Sequence, residues 1–315
     1  MDLKLFQGTA SGDSSSSRSS YSRPGSHHSQ NQGPIPKNYF HIFNNELPRV
    51  DLMRYNEKAS GKYYGKLFIS ITPVQDMFIG MGEIGRTSGS LYDMFSYRTV
   101  QKDIKTWNIP GSSLKGCIFA HLYMFLATDP KDNHHFNRTD LPARVFFSDL
   151  PFAAGQEPIL KDISARFEPN SKVTPLNAVL KLYKKEYQND STFQGEPGKE
   201  KIQAIKAGSK FEGYVHFKDL NEYEIAMLIL AFGSFPDHSF LFKIGGAKNR
   251  GMGLVRFRVD FEKSIYASSL KEIFESKTLP LTKFKDKLIQ SFLRIKQDYS
   301  CVERMIKRMQ EEYGQ

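Results

Sequence analysis

Cysteine is scarce in this chain, whose 315 residues contain two, Cys117 and Cys301. Two cysteines cannot build a disulfide framework, and without a Cys-x-x-Cys pair we expect no zinc knuckle. The sequence also lacks an apolar run long enough to cross a bilayer, and it has no cationic start followed by an apolar stretch. We therefore expect a cytoplasmic protein in a reducing compartment, with no membrane partner.

Positive charge and aromatic side chains are plentiful instead. Lys and Arg number 44 against 34 Asp and Glu, which gives a formal net charge of +10. A surplus of this size favours phosphate-rich partners through the release of counterions. Aromatic residues form 13% of the chain, and they need either a core or a flat group on which to stack. Charge alone leaves two interpretations open, a nucleic-acid binder and a protein that is merely basic.

Composition divides the chain into three parts. Residues 12–34 are polar and low in complexity, so burial cannot offset the entropy of ordering them. We expect a disordered polar tail over residues 1–36, a folded domain over 37–262 and a helical extension over 263–315. Within the domain, the charged and proline-interrupted residues 161–206 are expected to form an insertion rather than core.

Residue patterns predict an α+β domain. Four segments have the alternation and β-branched or aromatic content of strands, namely 65–72, 144–149, 211–217 and 254–261. Apolar residues recur at helical spacing in three segments, 112–127, 222–232 and 284–313. Ser112 or Ser113 can cap the first of these helices. Without the last helix, the order strand, helix, strand, strand, helix, strand predicts a ferredoxin-like fold.

Two glycine-rich segments lie far apart in the chain. Residues 109–116 read IPGSSLKG and precede a helix, whereas residues 243–253 read KIGGAKNRGMG and precede a strand. Both combine glycines, which let another backbone come close, with cations that attract phosphate. The first is not a P-loop, because Cys117 follows Gly116 where a P-loop has Lys-Ser or Lys-Thr. The second opens a strand, whereas a dinucleotide-binding fingerprint opens a helix.

Together these segments resemble the RAMP superfamily of CRISPR-associated proteins. Residues 109–116 and 245–253 are characteristic of the backbone subunits of type III effector complexes. The RVFFSD segment at 144–149 resembles the second core strand of that family, and Thr72-Pro73 resembles the end of its first strand. The resemblance extends from about residue 37 to residue 260.

This resemblance implies an RRM-like ferredoxin palm that carries guide RNA, with other CRISPR effector subunits as partners. It also implies a protruding thumb, here about residues 162–207, that wedges between nucleotides of the guide–target duplex. Main-chain N–H groups and cations would contact guide phosphates. The expected RNA-binding residues are Gly111, Ser112, Ser113, Lys115, Arg166, Lys172, Gly245, Gly246, Lys248, Asn249, Arg250 and Gly251.

A catalytic candidate, Asp93, also follows from the resemblance. Family members that cut target RNA carry an aspartate in the loop after the first strand. There it can hold a divalent cation such as Mg²⁺ near the scissile phosphate, or help to align the 2′-hydroxyl. Such a cation is expected only if the protein is catalytic. Asp76 and Asp103 are alternatives, and Asp93 can also be a solvated loop acid.

Three other functions stay open. The first is a non-catalytic subunit that caps the end of the same complex. The second is a guide-processing RAMP endoribonuclease with a histidine base, for which His121 and His41 are candidates. That class lacks the helix start at 109–116, and His121 falls among apolar positions typical of a core residue. The third is a stand-alone RRM-like RNA binder, whose Lys/Arg-Gly-Phe-Gly-Phe pattern is not found here.

Overall fold

A computed structural model gives the fold. It describes residues 39–43, 62–80, 98–101, 104–125, 141–155, 157, 159–164, 178–183, 185, 199–235, 238–298 and 301–314. The predicted tail lies outside these residues, and the boundaries proposed for the three parts of the chain stay predictions.

The described residues form thirteen strands and six α-helices. The strands are β1 (Tyr39–Phe43), β2 (Tyr63–Pro73), β3 (Arg98–Gln101), β4 (Ile104–Ile109), β5 (Val145–Phe147), β6 (Leu150–Ala154), β7 (Ile159–Ser164), β8 (Ala178–Tyr183), β9 (Lys199–Ala204), β10 (Lys210–Leu220), β11 (Phe242–Lys243), β12 (Leu254–Ala267) and β13 (Leu279–Pro280). The helices are α1 (Gly111–Phe125), α2 (Leu141–Arg144), α3 (Glu222–Ala231), α4 (Leu270–Phe274), α5 (Lys285–Asp298) and α6 (Cys301–Tyr313), with 3-10 turns at Lys248–Arg250 and Leu281–Phe284. None of these helices is both long and apolar enough to span a bilayer.

Nine of the described strands join in one sheet, in the order β11-β12-β2-β10-β6-β4-β3, with β5 also paired to β10 and β13 to β12. The pairs are antiparallel, and β2 lies at the centre with Ile69 opposite both Gly213 and Val259. Along the chain, the central elements follow the order β2, α1, β5–β6, β10, α3, β12. This is the mixed α+β, β-α-β-β-α-β order of a ferredoxin-like fold, as the sequence predicts.

Alternation along the strands separates the two faces of the sheet. Leu67, Ile69 and Ile71 of β2 are completely buried, whereas the residues between them are partly exposed. Because successive side chains of a strand point to opposite faces, one face is apolar and buried and the other is partly exposed. Helices α1 and α3 pack against each other, and their buried residues share one core with the apolar face.

The C-terminal helices add a second helical layer. Helix α5 packs on α3, and α6 packs on α1. Phe292 of α5 stacks on Phe235 with ring centroids 4.2 Å apart, and both rings are buried. Burying one such ring stabilises the fold by about 1.5–3 kcal/mol. This contribution favours packing of the C-terminal helices on the domain. The sequence predicted one helix over 284–313, but the structure has two, and Phe284 belongs to a 3-10 turn.

The predicted second strand, residues 144–149, is also different in the structure. Arg144 is the last residue of α2, and its guanidinium pairs with the buried carboxylate of Glu224 and donates to the Asp219 carbonyl. Of the predicted strand, only the three residues of β5 form a strand, and Ser148 and Asp149 lie in the break before β6. At the break, the Ser148 hydroxyl donates to the Tyr214 carbonyl at 2.6 Å and accepts from the Tyr214 N–H at 3.2 Å.

The expectation that residues 161–206 form no part of the core is wrong at their C-terminal end. Strand β9 pairs with β7, and β8 pairs with β1. Ile202, Ala204 and Ile205 are at most 1% exposed. Ile202 and Ala204 pack with Phe78 and Met252 in a small cluster. The end of the insertion therefore braces the region around the second glycine-rich segment.

Candidate nucleic-acid interface

The first glycine-rich segment forms the start of α1. The Gly111 N–H donates to the Asp149 carboxylate at 2.8 Å, and the Asn108 amide donates to the same group at 3.3 Å. A Cβ atom on Gly111 would lie 2.3 Å from the Phe147 carbonyl oxygen, so only glycine allows this approach. The helix begins at Gly111. The prediction of a serine cap is therefore wrong, because a carboxylate between β5 and β6 takes that place.

Exposed groups and one anchored cation follow within the first turn of α1. Ser112 and Ser113 are exposed, whereas Lys115 is half-buried. The Lys115 ammonium donates to the Pro142 carbonyl at 2.6 Å, which ties α1 to α2. Lys115 thus has a structural partner as well as its predicted role toward phosphate.

The second glycine-rich segment depends on left-handed backbone. Four of its residues have positive φ, namely Gly245 (87°), Ala247 (53°), Gly251 (77°) and Gly253 (83°). At Gly245 a Cβ atom would also lie 2.3 Å from the Phe78 carbonyl oxygen. This backbone places Lys248–Arg250 in a 3-10 turn, with Lys248 and Arg250 half-buried. A side chain at any of these three glycines would move the turn that carries the cations.

Main-chain bonds fasten this segment to the end of β2. The Gly246 N–H donates to the Phe78 carbonyl at 2.7 Å, and the Gly253 N–H donates to the Asp76 carbonyl at 2.9 Å. The Asp76 carboxylate accepts from Lys161 at 2.5 Å and from the Ala207 N–H at 3.1 Å. Burial alone would raise the pKa of Asp76, but the bonds from Lys161 and Ala207 outweigh it and lower the pKa below 3.8. Asp76 is therefore engaged as an anchor.

The second glycine-rich segment packs against α1, the helix that the first segment begins. The Cys117 thiol, two turns into that helix, lies 3.9 Å from the Lys243 carbonyl oxygen. Burial raises the pKa of this thiol to about 11, so it stays protonated and can donate. One turn further on, the His121 ring meets the Phe242 ring edge-on at 4.1 Å. Since a helix rises 1.5 Å per residue, the contact at Cys117 lies only about 9 Å along the axis from Gly111.

A buried ammonium stabilises the inner side of the second segment. Lys243 is 5% exposed, and its Nζ donates to the carbonyls of Lys185 at 2.8 Å and Lys248 at 3.1 Å. The positive charge of Lys248 also lowers the pKa values of Cys117 and His121, next to the larger effect of burial on each. Lys248 therefore lies near the part of α1 that holds Cys117 and His121, and the loop adds positive charge there.

His121 is a core residue, as its apolar neighbours in the sequence indicate. Its side chain is buried, and burial lowers its pKa from 6.5 to about 3. A general base for RNA cleavage works best with a pKa near the operating pH and must reach the substrate. His121 meets neither condition.

The remaining predicted site residues cannot be placed in the same detail. Asp93, Asp103, Arg166 and Lys172 lie outside the described residues, and Asn249 is described only for its main chain. The part of the chain that the structure describes holds no cluster of three His, Cys, Asp or Glu side chains suited to a metal ion. The anchoring role of Asp149 was missed, although the residue ends the RVFFSD segment. Its acidic side chain beside Ser148 was the only available signal.

The family model of the RAMP superfamily matches residues 70–256, more than half of the chain. The match includes both glycine-rich segments and the strands and helices that bring them together. A comparison with curated proteins gives no match. The chain therefore belongs to the RAMP superfamily, a family of CRISPR-associated RNA-binding proteins.

Proposed function

We propose that this protein is a guide-RNA-binding backbone subunit of a type III CRISPR ribonucleoprotein, holding guide RNA paired to target RNA. The observation that carries this proposal is that the second glycine-rich segment packs against α1, the helix that the first segment begins. Residues 109–116 and 243–253 are separated by more than a hundred residues, yet Lys243 contacts Cys117, the residue that follows the first segment. The helix start, glycine backbone and cations would together form one patch.

Such a patch suits a sugar–phosphate chain. Main-chain N–H groups and cations recognise phosphate oxygens without reading bases. A subunit of this kind needs no base readout, because pairing between guide and target supplies the specificity. Asp149 takes one N–H at Gly111, so phosphate would be held chiefly by the exposed serines of α1 and by the Lys248–Arg250 turn.

The thumb is a further part of this proposal. Residues 162–207 leave and rejoin the domain through β7 and β9, which pair in register from Ile159–Ala204 to Ser164–Lys199. A ladder of this kind can brace a projecting segment against the palm. Arg166 and Lys172 would then hold the duplex backbone while apolar atoms wedge between nucleotides.

Cleavage of the target RNA by Asp93 is a second proposal. Asp76, one alternative to it, is engaged with Lys161 and Ala207, and this favours an acid later in the same loop. Asp93 would hold a divalent cation or align the 2′-hydroxyl. In the assembled complex, Asp93→Ala should abolish target cleavage and leave guide binding intact. Cleavage at the normal rate would remove the catalytic assignment and leave the binding role.

The binding role is tested by neutralising the second segment. Lys248→Ala with Arg250→Ala should weaken RNA binding uniformly across sequences and reduce the slope of log affinity against log salt by about 1 per lost contact. Lys285→Ala with Lys307→Ala is the matched control, because both lysines are exposed on the C-terminal helices and the charge change is equal. Equal slopes for the two double variants would contradict the proposal.

A further inference from the structure

The face of the central sheet that points away from α1 and α3 carries aromatic rings and cations. We call it the open face, and it comprises the outward residues of β2, β5 and β10, namely Lys66, Phe68, Phe146, Tyr214, His216 and Lys218. Phe68 and Tyr214 lie directly opposite each other on the two central strands. Their rings pack edge to face, with centroids 5.3 Å apart at 72°. In the same way, His216 lies opposite both Lys66 and Phe146.

Three of these rings each have a lysine ammonium group over one face. Lys66 is 4.4 Å from the centroid of Tyr214, Lys263 is 4.5 Å from that of Phe68, and Lys218 is 5.3 Å from that of Phe146. An exposed cation–π contact is worth about 0.5–1 kcal/mol, whereas a stacked base is worth about 1–3 kcal/mol. A base can therefore displace the ammonium from the ring.

Two acids near these rings are already engaged. The Asp260 carboxylate, next to Phe68 on β12, accepts the N–H groups of Glu262 and Lys263 at 3.0 and 3.1 Å. Glu212 pairs with Lys210 at 2.6 Å. Two exposed arginines of β12 extend the positive charge along the same face, Arg256 and Arg258. The open face therefore favours an anionic, aromatic ligand.

A cavity of about 450 Å³ adjoins the rings at one end of the open face. It lies between the sheet and α4, and its lining includes Lys66, Phe146, His216, Lys218, Leu270 and Ile273. Among the residues that the structure describes, no acidic side chain lines it. Phe146, which lines this cavity, is 49% exposed. Burial and the charge of Lys66 lower the pKa of His216, which favours the neutral ring at neutral pH. An unstacked nucleobase fits a site of this size and chemistry.

We propose that the open face is a second RNA-binding surface, which takes unpaired RNA by stacking bases on Tyr214 and Phe68 and placing one base in the cavity beside His216. It is separate from the glycine-rich segments, which lie against α1 on the other side of the sheet. It binds single strands with little sequence preference, because every base offers a flat face. Duplex RNA binds poorly there, since its bases are stacked inside the helix.

The experiment measures binding of the full chain to a fluorescent oligouridine of about ten nucleotides and to an RNA duplex of the same length. Tyr214→Leu removes the ring but keeps apolar volume, and Tyr214→Phe is the matched control that keeps the ring. Both are made in a Lys248→Ala, Arg250→Ala background, so that the first site contributes little. Tyr214→Leu should weaken oligouridine binding about tenfold and leave duplex binding unchanged, whereas Tyr214→Phe should bind as its parent does.

Two results would overturn the proposal. One is equal oligouridine affinity for the leucine and phenylalanine variants. The other is an effect of Tyr214→Leu on self-association or on binding of a sister subunit with no effect on RNA, which would make the open face a protein interface. If the double variant Lys248→Ala, Arg250→Ala binds both RNAs as well as the unaltered chain does, the proposed function fails while the Tyr214 comparison still decides on the open face.

A measurement on the unaltered chain covers the case in which Tyr214→Leu does not fold. Ultraviolet crosslinking to oligouridine, followed by mass spectrometry, should give adducts on peptides that contain Phe68 or Tyr214. Adducts confined to peptides from the two glycine-rich segments would refute a second surface.

Discussion

Replacing His121 by phenylalanine should make the folded state less sensitive to acid. His121 is buried on α1 and packs edge-on against Phe242. Burial, with a smaller contribution from the Lys248 charge, lowers the pKa of His121 from 6.5 to about 3, against the opposing effect of a hydrogen bond with the Ala231 main chain. Phenylalanine keeps a flat ring against Phe242 and does not titrate.

The sign of the effect follows from proton linkage. Between pH 6.5 and pH 3 the unfolded chain binds a proton at His121 that the folded protein does not bind, so stability falls as the pH falls through this window. Lowering the pH from about 7 to about 5.5 costs about 1.3 kcal/mol for one such group. Because only the unfolded state titrates over this interval, the loss depends on the ordinary histidine pKa alone.

Urea unfolding of the full chain and of His121→Phe, at both pH values, measures this contribution. At neutral pH the free energy of unfolding of the variant should be about 1 kcal/mol lower than that of the unaltered protein, because the variant lacks the hydrogen bond of His121. Its free energy of unfolding should then fall by about 1.3 kcal/mol less than that of the unaltered protein on acidification. Equal acid sensitivity of the two proteins would refute a buried, neutral His121.

Two further predictions concern the start of α1 and the ion pair behind it. Arg144→Met should destabilise the fold by about 3–5 kcal/mol because it leaves the carboxylate of Glu224, 3% exposed, without its cationic partner. Adding Glu224→Gln should restore most of the lost stability. Denaturant titrations in which the two substitutions have additive effects would contradict this. Gly111→Ala should destabilise by about 1–3 kcal/mol through overpacking, whereas Gly116→Ala, with no atom within 4 Å of the new Cβ, should stabilise by up to about 1 kcal/mol. Thermal unfolding of the two alanine variants measures these changes, and equal shifts of Tm would contradict the packing argument.

Much of the central fold could be predicted because its signals are local. The alternation at 65–72 matches Tyr63–Pro73, and the helical spacing at 222–232 matches Glu222–Ala231. Both elements have one buried face, and burial imposes the period of the backbone on the apolar residues. The C-terminal extension was harder, since apolar spacing marks its buried face but not the division between α5 and α6.

The candidate site was predictable in composition but not in its contacts. Glycines and cations at 109–116 and 243–253 are visible in the chain. That Asp149 caps α1, that Lys115 bonds to Pro142 and that Asp76 holds Lys161 depends on residues brought together from distant positions. The open face could not be predicted from the sequence for the same reason, because Phe68 and Tyr214 lie in different strands.

The amino-acid sequence by itself determined most of the central strands and helices and the two glycine-rich cationic segments, because backbone geometry and hydrophobic spacing act over a few residues. Only the tertiary structure decided which of these groups meet. Pairing of β2 with β10 and β12 carried the second segment onto α1 and placed four rings on one face of the sheet. Such contacts arise from strand register and helix packing across the whole domain, which no local pattern encodes.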